Sequence, residues 1–230
     1  MSLTEVRWLQ RTDADVPADN SWLSAAEADR AERFRIPKRR SDWRLGRWTA
    51  KQAVALHLGL PPDSVSLALT EIRPAASGAP EVFISNRPAE LAISLSHRAG
   101  VAMCAVAAPD VQLGCDLELV EPHSPAFVRD YFTAEERALI AANPEASEFL
   151  VSLIWSAKES ALKALRTGLR DDTRSVSIYA VEPFSVEDGW AQLSIRVYEG
   201  RVLRGWWQQC DKLLRTLIAA PAAHVPVALR

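Results

Sequence analysis

The sequence lacks the short loops that mark the commonest nucleotide-binding and hydrolytic folds. It contains no GxxxxGK[ST] phosphate loop, no GxGxxG dinucleotide fingerprint and no GxSxG nucleophile elbow. These absences disfavour ordinary nucleoside-triphosphate, dinucleotide and serine-hydrolase sites.

Cysteines and long apolar runs are also scarce. The three cysteines, Cys104, Cys115 and Cys210, are widely spaced and odd in number, which favours reduced thiols over a disulfide framework or a zinc site. There is no apolar N-terminal run, no eighteen-residue apolar span and no C-terminal lipidation box. We therefore expect a cytoplasmic enzyme or binding protein that does not associate with membranes.

No strong excess of either charge is present. The 230 residues include 27 Lys and Arg against 29 Asp and Glu, a formal charge of -2, and 48% are hydrophobic. This balance argues against a protein that binds nucleic acid over its whole surface, although a local basic patch remains compatible with it. The length allows one large domain or two small ones with a sizeable core.

The order of predicted elements indicates an α+β fold with two similar halves. Capping boxes at 24–27 and 133–136 each open a helix, and longer helices are predicted at about 41–58, after an interruption at Pro37, and at 148–165, ended by Gly168. Residues 63–73 look extended. A hairpin spans about 91–107 with His97 near its tip, and later strands are predicted at 113–119, 175–180, 191–198, 202–208 and 213–220.

Each half thus consists of helices followed by antiparallel strands, although no repeated sequence is obvious. We predict two pseudo-duplicated α+β lobes, residues 1–108 and 109–230, whose antiparallel strands pack on helices. The functional site is expected in the cleft between the lobes.

Two acidic segments restrict the function most. On the predicted strand 113–119, Asp116 and Glu118 leave the same face, and Glu159 and Lys163 lie one helical turn apart. Each segment alone fits an ordinary solvated surface. Together they supply three hard oxygen ligands of the kind that Mg²⁺ binds, and Lys158 and Lys163 would then face a phosphate.

A basic stripe runs along the predicted helix 41–58 and just before it. It consists of Arg40, Arg44, Arg47 and Lys51, and Arg30 and Arg73 lie close enough in the chain to extend it. The stripe is compatible with a solvated cationic face or a nucleic-acid helix, but a small polyanion or an acidic protein fits the overall charge better. Ser96 and His97 at the hairpin tip are either an exposed turn or donors to a diphosphate.

Three segments in this order resemble the motifs of the Sfp-type 4'-phosphopantetheinyl transferases: LSH at 95–97, GCDLE at 114–118 and WSAKESALK at 155–163. The turn GAP at 78–80 is similar to the family's Gly-Lys-Pro segment, with Ala79 in place of the lysine. RAERF at 30–34, followed by Gly46 and Arg47, resembles the family's basic N-terminal region. The resemblance covers about residues 25–165.

The resemblance implies transfer of the phosphopantetheine arm of coenzyme A to a serine of an apo acyl or peptidyl carrier protein, with Mg²⁺ and release of 3',5'-ADP. It implies Mg²⁺ ligation by Asp116, Glu118 and Glu159, with Glu159 also as general base and Lys163 stabilising charge on the phosphate. The expected coenzyme A-binding residues are Arg30, Arg47, Arg73, Ser96, His97, Lys158 and Lys163.

The expected partner is a carrier protein with an acidic surface, bound by a monomer. The apolar segment 127–132 either forms a docking surface for it or packs under the helix 148–165. Carriers of fatty acid, polyketide, nonribosomal peptide or siderophore synthesis all fit. The alternatives are a non-catalytic module that binds coenzyme A or a carrier protein, and a nucleic-acid binder, which would leave the acidic segments unexplained.

Overall fold

The computed structural model describes residues 3–167, 171–181 and 189–230 as a mixed α+β protein. Its helices are α1 (Ala25–Glu32), α2 (Pro37–Leu58), α3 (Ser64–Ala68), α4 (Pro125–Tyr131), α5 (Ala134–Ala141) and α6 (Ser147–Ala164). Its strands are β1 (Arg7–Thr12), β2 (Thr70–Pro74), β3 (Pro80–Ile84), β4 (Arg87–Pro88), β5 (Ala92–Arg98), β6 (Val101–Ala107), β7 (Gln112–Leu119), β8 (Ser177–Val181), β9 (Ala191–Arg196), β10 (Val202–Cys210), β11 (Leu213–Ala220) and β12 (Val227–Ala228).

Both predicted capping boxes form. The Ser24 hydroxyl accepts from the Glu27 amide (3.3 Å) while the Glu27 carboxylate accepts from the Ser24 amide (3.2 Å), and Thr133 and Glu136 make the same exchange before α5. Each box satisfies amides that lack a partner within the helix. The predicted starts of α1 and α5 are therefore confirmed.

Two local predictions were wrong. The second helix begins at Pro37 and not near residue 41, because proline is favourable in the first turn, where its fixed φ suits the helix and no amide donor is needed. The extended segment expected at 63–73 begins instead with α3, because the Asp63 side chain accepts from the Ser66 amide and caps a short helix. The predicted stop at Gly168 lies outside the described residues.

The strands form three sheets. The first has the order β12-β1-β6-β5, the second β7-β11-β10-β9-β8 and the third β2-β3-β4. All pairings of the longer strands are antiparallel, as predicted, whereas the two-residue β12 runs parallel to β1. Helix α2 covers β1 and β6, and α6 covers β7 and β11.

The two halves contain the same buried ionic arrangement, one copy on α2 and one on α6. Lys51 and Lys158 are both fully buried, and each pairs with the glutamate of a capping box, Glu27 at 2.5 Å and Glu136 at 2.8 Å. Each ammonium also donates to two backbone carbonyls, and each carboxylate accepts one further backbone amide from a strand. Full pairing of this kind makes a buried charge tolerable.

The residues around the two lysines are also similar. Residues 48–52 read WTAKQ and residues 155–159 read WSAKE, with Lys51 matching Lys158 and Gln52 matching Glu159. The strand order agrees, because β1 pairs with β6 as β7 pairs with β11. The two halves therefore share a buried ion pair and the short pattern that carries it, while their description as two pseudo-duplicated lobes stays a prediction.

The two main sheets share a core between them. Met103 and Ala105 of β6 belong to the same buried cluster as Cys115 and Leu117 of β7. Strand β12 follows the second half but pairs with β1 of the first, so the division at residues 108 and 109 stays a prediction. Cys104 and Cys115 are buried free thiols, and Cys210 is exposed.

No helix in the described part of the chain combines the length and hydrophobicity needed to cross a membrane.

Candidate active site

Strand β5 of the first half lies beside β7 of the second, and polar contacts join them. The Ser94 hydroxyl accepts from the Cys115 amide at 2.9 Å. Two residues further along β5 and one residue further along β7, the Ser96 hydroxyl donates to the Asp116 carboxylate at 2.8 Å. This alignment places the serine of the LSH segment at the acidic strand, as the site prediction requires.

Asp116 is the centre of the contact network. Its side chain is 2% exposed, and one carboxylate oxygen accepts from both Ser96 and the Lys163 ammonium, the latter at 2.7 Å. The other oxygen accepts from the Ser156 hydroxyl at 2.9 Å. Three donors from two helical turns and a strand thus fix the orientation of this carboxylate.

Lys163 connects the strand to α6. Besides Asp116, its ammonium donates to the Cys115 carbonyl at 3.1 Å and lies 3.6 Å from the carboxylate of Glu159, one turn earlier. Although burial opposes the charged form, Asp116 and Glu159 raise the pKa of Lys163 well above its usual value. Lys163 is therefore a permanent cation, still 28% exposed, at the edge of the carboxylates.

Glu159 has the most perturbed carboxylate of this group. Burial, followed by the negative charges of Asp116 and Glu118, raises its pKa to about 7 against the opposing effect of Lys163. A carboxylate with this pKa can both accept and release a proton near neutral pH, which is the property of a general acid or base.

Glu118 is held differently. Burial and the charge of Asp116 raise its pKa, while Arg98 and the Trp155 side chain oppose the shift. The Arg98 guanidinium lies 3.3 Å from Glu118 and also contacts Glu121. The third carboxylate is thus turned towards an arginine at the end of β5.

The donor set suits a hard divalent cation, because all three side chains offer carboxylate oxygens, and burial followed by their mutual repulsion raises the pKa of Glu118 and Glu159. Among the described residues, however, no group of three or more His, Cys, Asp and Glu side chains forms a ready-made metal cluster. Asp116 is engaged by Lys163, Ser96 and Ser156, and Glu118 by Arg98. The assignment of Asp116, Glu118 and Glu159 as metal ligands stays a prediction that agrees with the chemistry of the donors.

A cavity of about 430 Å³ adjoins Lys163. Its walls come from the turn 77–79, from β3 to β5, from the start of β7 and from the end of α6 with the turn after it, and they include Gly78, Phe83, Leu95, Leu113 and Arg166. A mostly apolar wall with cations at one side fits a ligand that carries both a flat apolar part and phosphate.

The structure places the predicted basic residues in several environments. Lys51 and Lys158 do not face this cavity, because both are fully buried in ion pairs with capping-box glutamates. The expectation that Lys158 contacts a phosphate is therefore corrected. A lysine on the same helix as Glu159 need not share its surface, since Lys158 lies 100° further round.

The remaining predicted cations are only partly available. Arg47 lies 3.8 Å from Glu27 and packs over the Trp43 ring, and burial lowers its pKa. Arg73 pairs with Glu71 at 2.6 Å and packs on Phe83. Arg30 is exposed on α1. The basic stripe is therefore not a continuous solvated face, and its role in binding coenzyme A stays a prediction.

The hairpin turn is tighter than the sequence indicated. Strand β5 continues through Arg98, and Ala99 and Gly100 form the turn with φ of 50° and 75°. Ser96 and His97 consequently lie in the strand, where alternation directs Ser96 towards Asp116 and leaves His97 exposed.

The aromatic segment after β7 mainly packs inward. Phe132 is buried with Trp155 and Ile154, and Phe127 packs on the same Trp155 ring, whereas Tyr131 remains 41% exposed. The packing alternative is confirmed for Phe132. A docking surface would depend on Tyr131 and its exposed neighbours.

Sequence reasoning missed Ser156 and Arg166. Ser156, Glu159 and Lys163 are spaced 3 and 4 apart, which puts them on one helical face, so spacing alone could have identified the serine that binds Asp116. No signal of this kind pointed to Arg166.

Residues 112–209 match the family model of the 4'-phosphopantetheinyl transferase superfamily. The matched segment begins at β7 and ends within β10, so it contains Asp116, Glu118, Glu159 and Lys163, but it spans less than half of the chain. No curated protein matches the chain. The second half is thus similar to this superfamily, and the mixed α+β fold is consistent with it.

Proposed function

We propose that this protein is a 4'-phosphopantetheinyl transferase of the Sfp type that modifies a serine of an apo acyl or peptidyl carrier protein. One observation carries the proposal: Lys163 binds Asp116, and its ammonium also lies 3.6 Å from the Glu159 carboxylate. All three residues lie within the segment that is similar to this superfamily. A site that only bound coenzyme A would not need three carboxylates and a lysine at one place, because carboxylates repel the phosphates of the ligand.

In this reaction the carrier serine oxygen forms a bond to the phosphorus that bears the pantetheine arm. The bond from that phosphorus to the bridging oxygen breaks, and 3',5'-ADP leaves. The serine proton passes to the Glu159 carboxylate, directly or through a water. Lys163 stabilises the negative charge on the transferred phosphate, which is the main task in phosphoryl transfer.

Mg²⁺ would be held by Asp116, Glu118 and Glu159, and when bound it neutralises diphosphate charge. Because Lys163 now contacts Asp116 and Glu159, binding of the metal by these carboxylates would require the lysine ammonium to move towards the phosphate. From β5, Ser96 lies on the side of Asp116 and would support the diphosphate, whereas His97 lies on the opposite side of the strand and would support the 3'-phosphate. The lobes 1–108 and 109–230 would then supply the coenzyme A-binding side and the acidic side, respectively, in a monomer.

The test is incubation of the protein with coenzyme A, MgCl₂ and an apo carrier protein, followed by intact mass spectrometry. We expect the carrier to gain one phosphopantetheine, and we expect no gain with a chelator or with Asp116→Ala or Glu159→Ala. Glu145→Gln, an exposed carboxylate near the start of α6, is the matched control and should behave as the wild type.

Tight binding of coenzyme A without a mass gain on any of several carriers would contradict the proposal. That result would favour the non-catalytic binding module. Carriers from fatty acid, polyketide, nonribosomal peptide and siderophore synthesis should be compared, because the site residues do not distinguish among them.

A further inference from the structure

The C-terminal end of α6 has a backbone conformation that its residue type does not favour. Arg166 follows the helix with a φ of 58°. Its amide donates to the Lys163 carbonyl at 3.0 Å, and the Thr167 amide donates to the Leu162 carbonyl at 3.1 Å, the hydrogen bonds of a Schellman motif. Glycine is the usual residue at this left-handed position because it has no Cβ. The chain instead uses an arginine.

Arg166 lines the cavity of about 430 Å³ together with Lys163. Most of the other lining residues from β3 and β5 are apolar, among them Val82, Phe83 and Ile93. Arg166 is exposed, and in the part of the chain that the structure describes its guanidinium has neither an ion pair nor a hydrogen bond. A guanidinium in this position is a donor for a planar or tetrahedral anion.

Arg166 differs in this respect from the cations that the sequence singled out. Arg47 lies beside Glu27, Arg73 is paired with Glu71, and Lys163 binds Asp116. These groups must give up a protein partner before they bind a ligand. Arg166 loses no such contact, and a strained backbone at a cavity is a common feature of ligand-binding positions.

We propose that Arg166 binds a phosphate group of the ligand that occupies this cavity. The inference rests on the proposed function, in which coenzyme A supplies a diphosphate and a ribose 3'-phosphate. Lys163, three residues earlier on the same side of α6, reaches the carboxylates, so the two cations extend a positive region from the acidic site into the cavity. Arg166 acts on ligand affinity and does not take part in the proton transfer.

The test compares ligand binding by calorimetry in the wild type, Arg166→Gly and Arg166→Lys, with inorganic pyrophosphate, coenzyme A and dephospho-coenzyme A. We expect Arg166→Gly to weaken coenzyme A binding by about tenfold and Arg166→Lys to weaken it less. A loss with coenzyme A alone assigns Arg166 to the 3'-phosphate, and an equal loss with both nucleotides assigns it to the diphosphate. Arg137→Gly, an exposed arginine on α5, is the matched control.

Thermal unfolding separates this role from a structural one. Glycine removes the strain at positive φ, so Arg166→Gly should unfold at the same temperature as the wild type or a higher one while it binds ligand more weakly. If Arg166 only stabilised the end of α6 through its charge, the unfolding temperature would fall and the affinity would not change.

Affinities within twofold of the wild type for all three ligands would overturn the inference. If the wild type binds coenzyme A without modifying any carrier, the proposed function fails while the Arg166 comparison still stands. If the wild type does not bind coenzyme A at all, the pyrophosphate titration alone decides: an unchanged affinity in Arg166→Gly overturns the inference, and a weaker one supports it.

Discussion

Lys163 on α6 binds Asp116 on β7 at 2.7 Å and thereby fixes the helix to the acidic strand. The same ammonium lies 3.6 Å from the Glu159 carboxylate, so one lysine contacts two of the three carboxylates. A divalent cation and Lys163 therefore compete for the same oxygens. The position of Lys163 should respond to metal binding.

The three carboxylates should differ in importance. We expect Asp116→Asn and Glu159→Gln to lower the rate of carrier modification by about a hundredfold or more, because each removes an oxygen charge at the centre of the site. Glu118→Gln should be the mildest, since Arg98 and Trp155 already engage that side chain. Initial rates from intact mass at saturating coenzyme A measure this order, and a Glu118 variant slower than the other two would contradict it.

Glu159 should make stability depend on pH in the absence of divalent metal. Its pKa is raised from 4.5 to about 7, so between these values the folded state binds more protons than the unfolded state. The free energy of unfolding must then fall as the pH rises through this window, so the stability is fully present below pH 4.5 and is lost as the pH passes about 7. Urea unfolding at pH 5, 6, 7 and 8 should show this slope, and Glu159→Gln should reduce it. Parallel curves for the two proteins would exclude the effect.

The buried pair of Lys158 with Glu136 should be essential for folding of the second half. Lys158→Met leaves the Glu136 carboxylate buried without its cation, so we expect a loss of about 3–5 kcal/mol in the free energy of unfolding. The double variant Lys158→Met with Glu136→Gln should recover part of this loss because no charge is left unpaired. Chemical unfolding of both variants is the measurement, and equal stabilities would indicate that the charge is not the cause.

Gly114 allows β7 to lie directly against α6. A Cβ added there would be 1.8 Å from the Ser160 carbonyl oxygen, so Gly114→Ala must displace the helix that carries Glu159. We expect a loss of stability of about 3 kcal/mol or more, together with weaker carrier modification. Gly46→Ala is the matched control in α2, where a Cβ meets nothing within 4 Å, and it should stabilise the protein by about 0.5–1 kcal/mol. Similar unfolding temperatures for the two variants would contradict the packing argument.

Local signals predicted much of the fold. Capping boxes at Ser24 and Thr133 predicted two helix starts, and alternation predicted the β5–β6 hairpin and the strand that carries Asp116. These signals depend on neighbouring residues and are readable from the sequence. Helix α3 was missed because it is only five residues long and its cap, Asp63, also fits a turn.

Contacts between residues far apart in the chain could not be predicted from the sequence. A lysine in an amphipathic helix is expected to face solvent, yet Lys51 and Lys158 are buried because capping-box glutamates from other helices meet them. The partners of Arg47 and Arg73 are likewise set by packing. The similarity of WTAKQ and WSAKE is visible in the sequence, but a five-residue similarity is informative only once the structure shows that both lysines pair with a capping-box glutamate.

The two copies of the buried ion pair differ at the next residue. Gln52 stands where its counterpart has Glu159, and the Gln52 amide faces the carbonyl of Pro62 at 3.5 Å. Because a glutamine amide is neutral at every pH, the first copy holds its helix in place without adding a titratable group. The second copy uses the same ion pair but adds an acid beside it, so the electrostatics of the two halves respond differently to pH although their supporting contacts are alike.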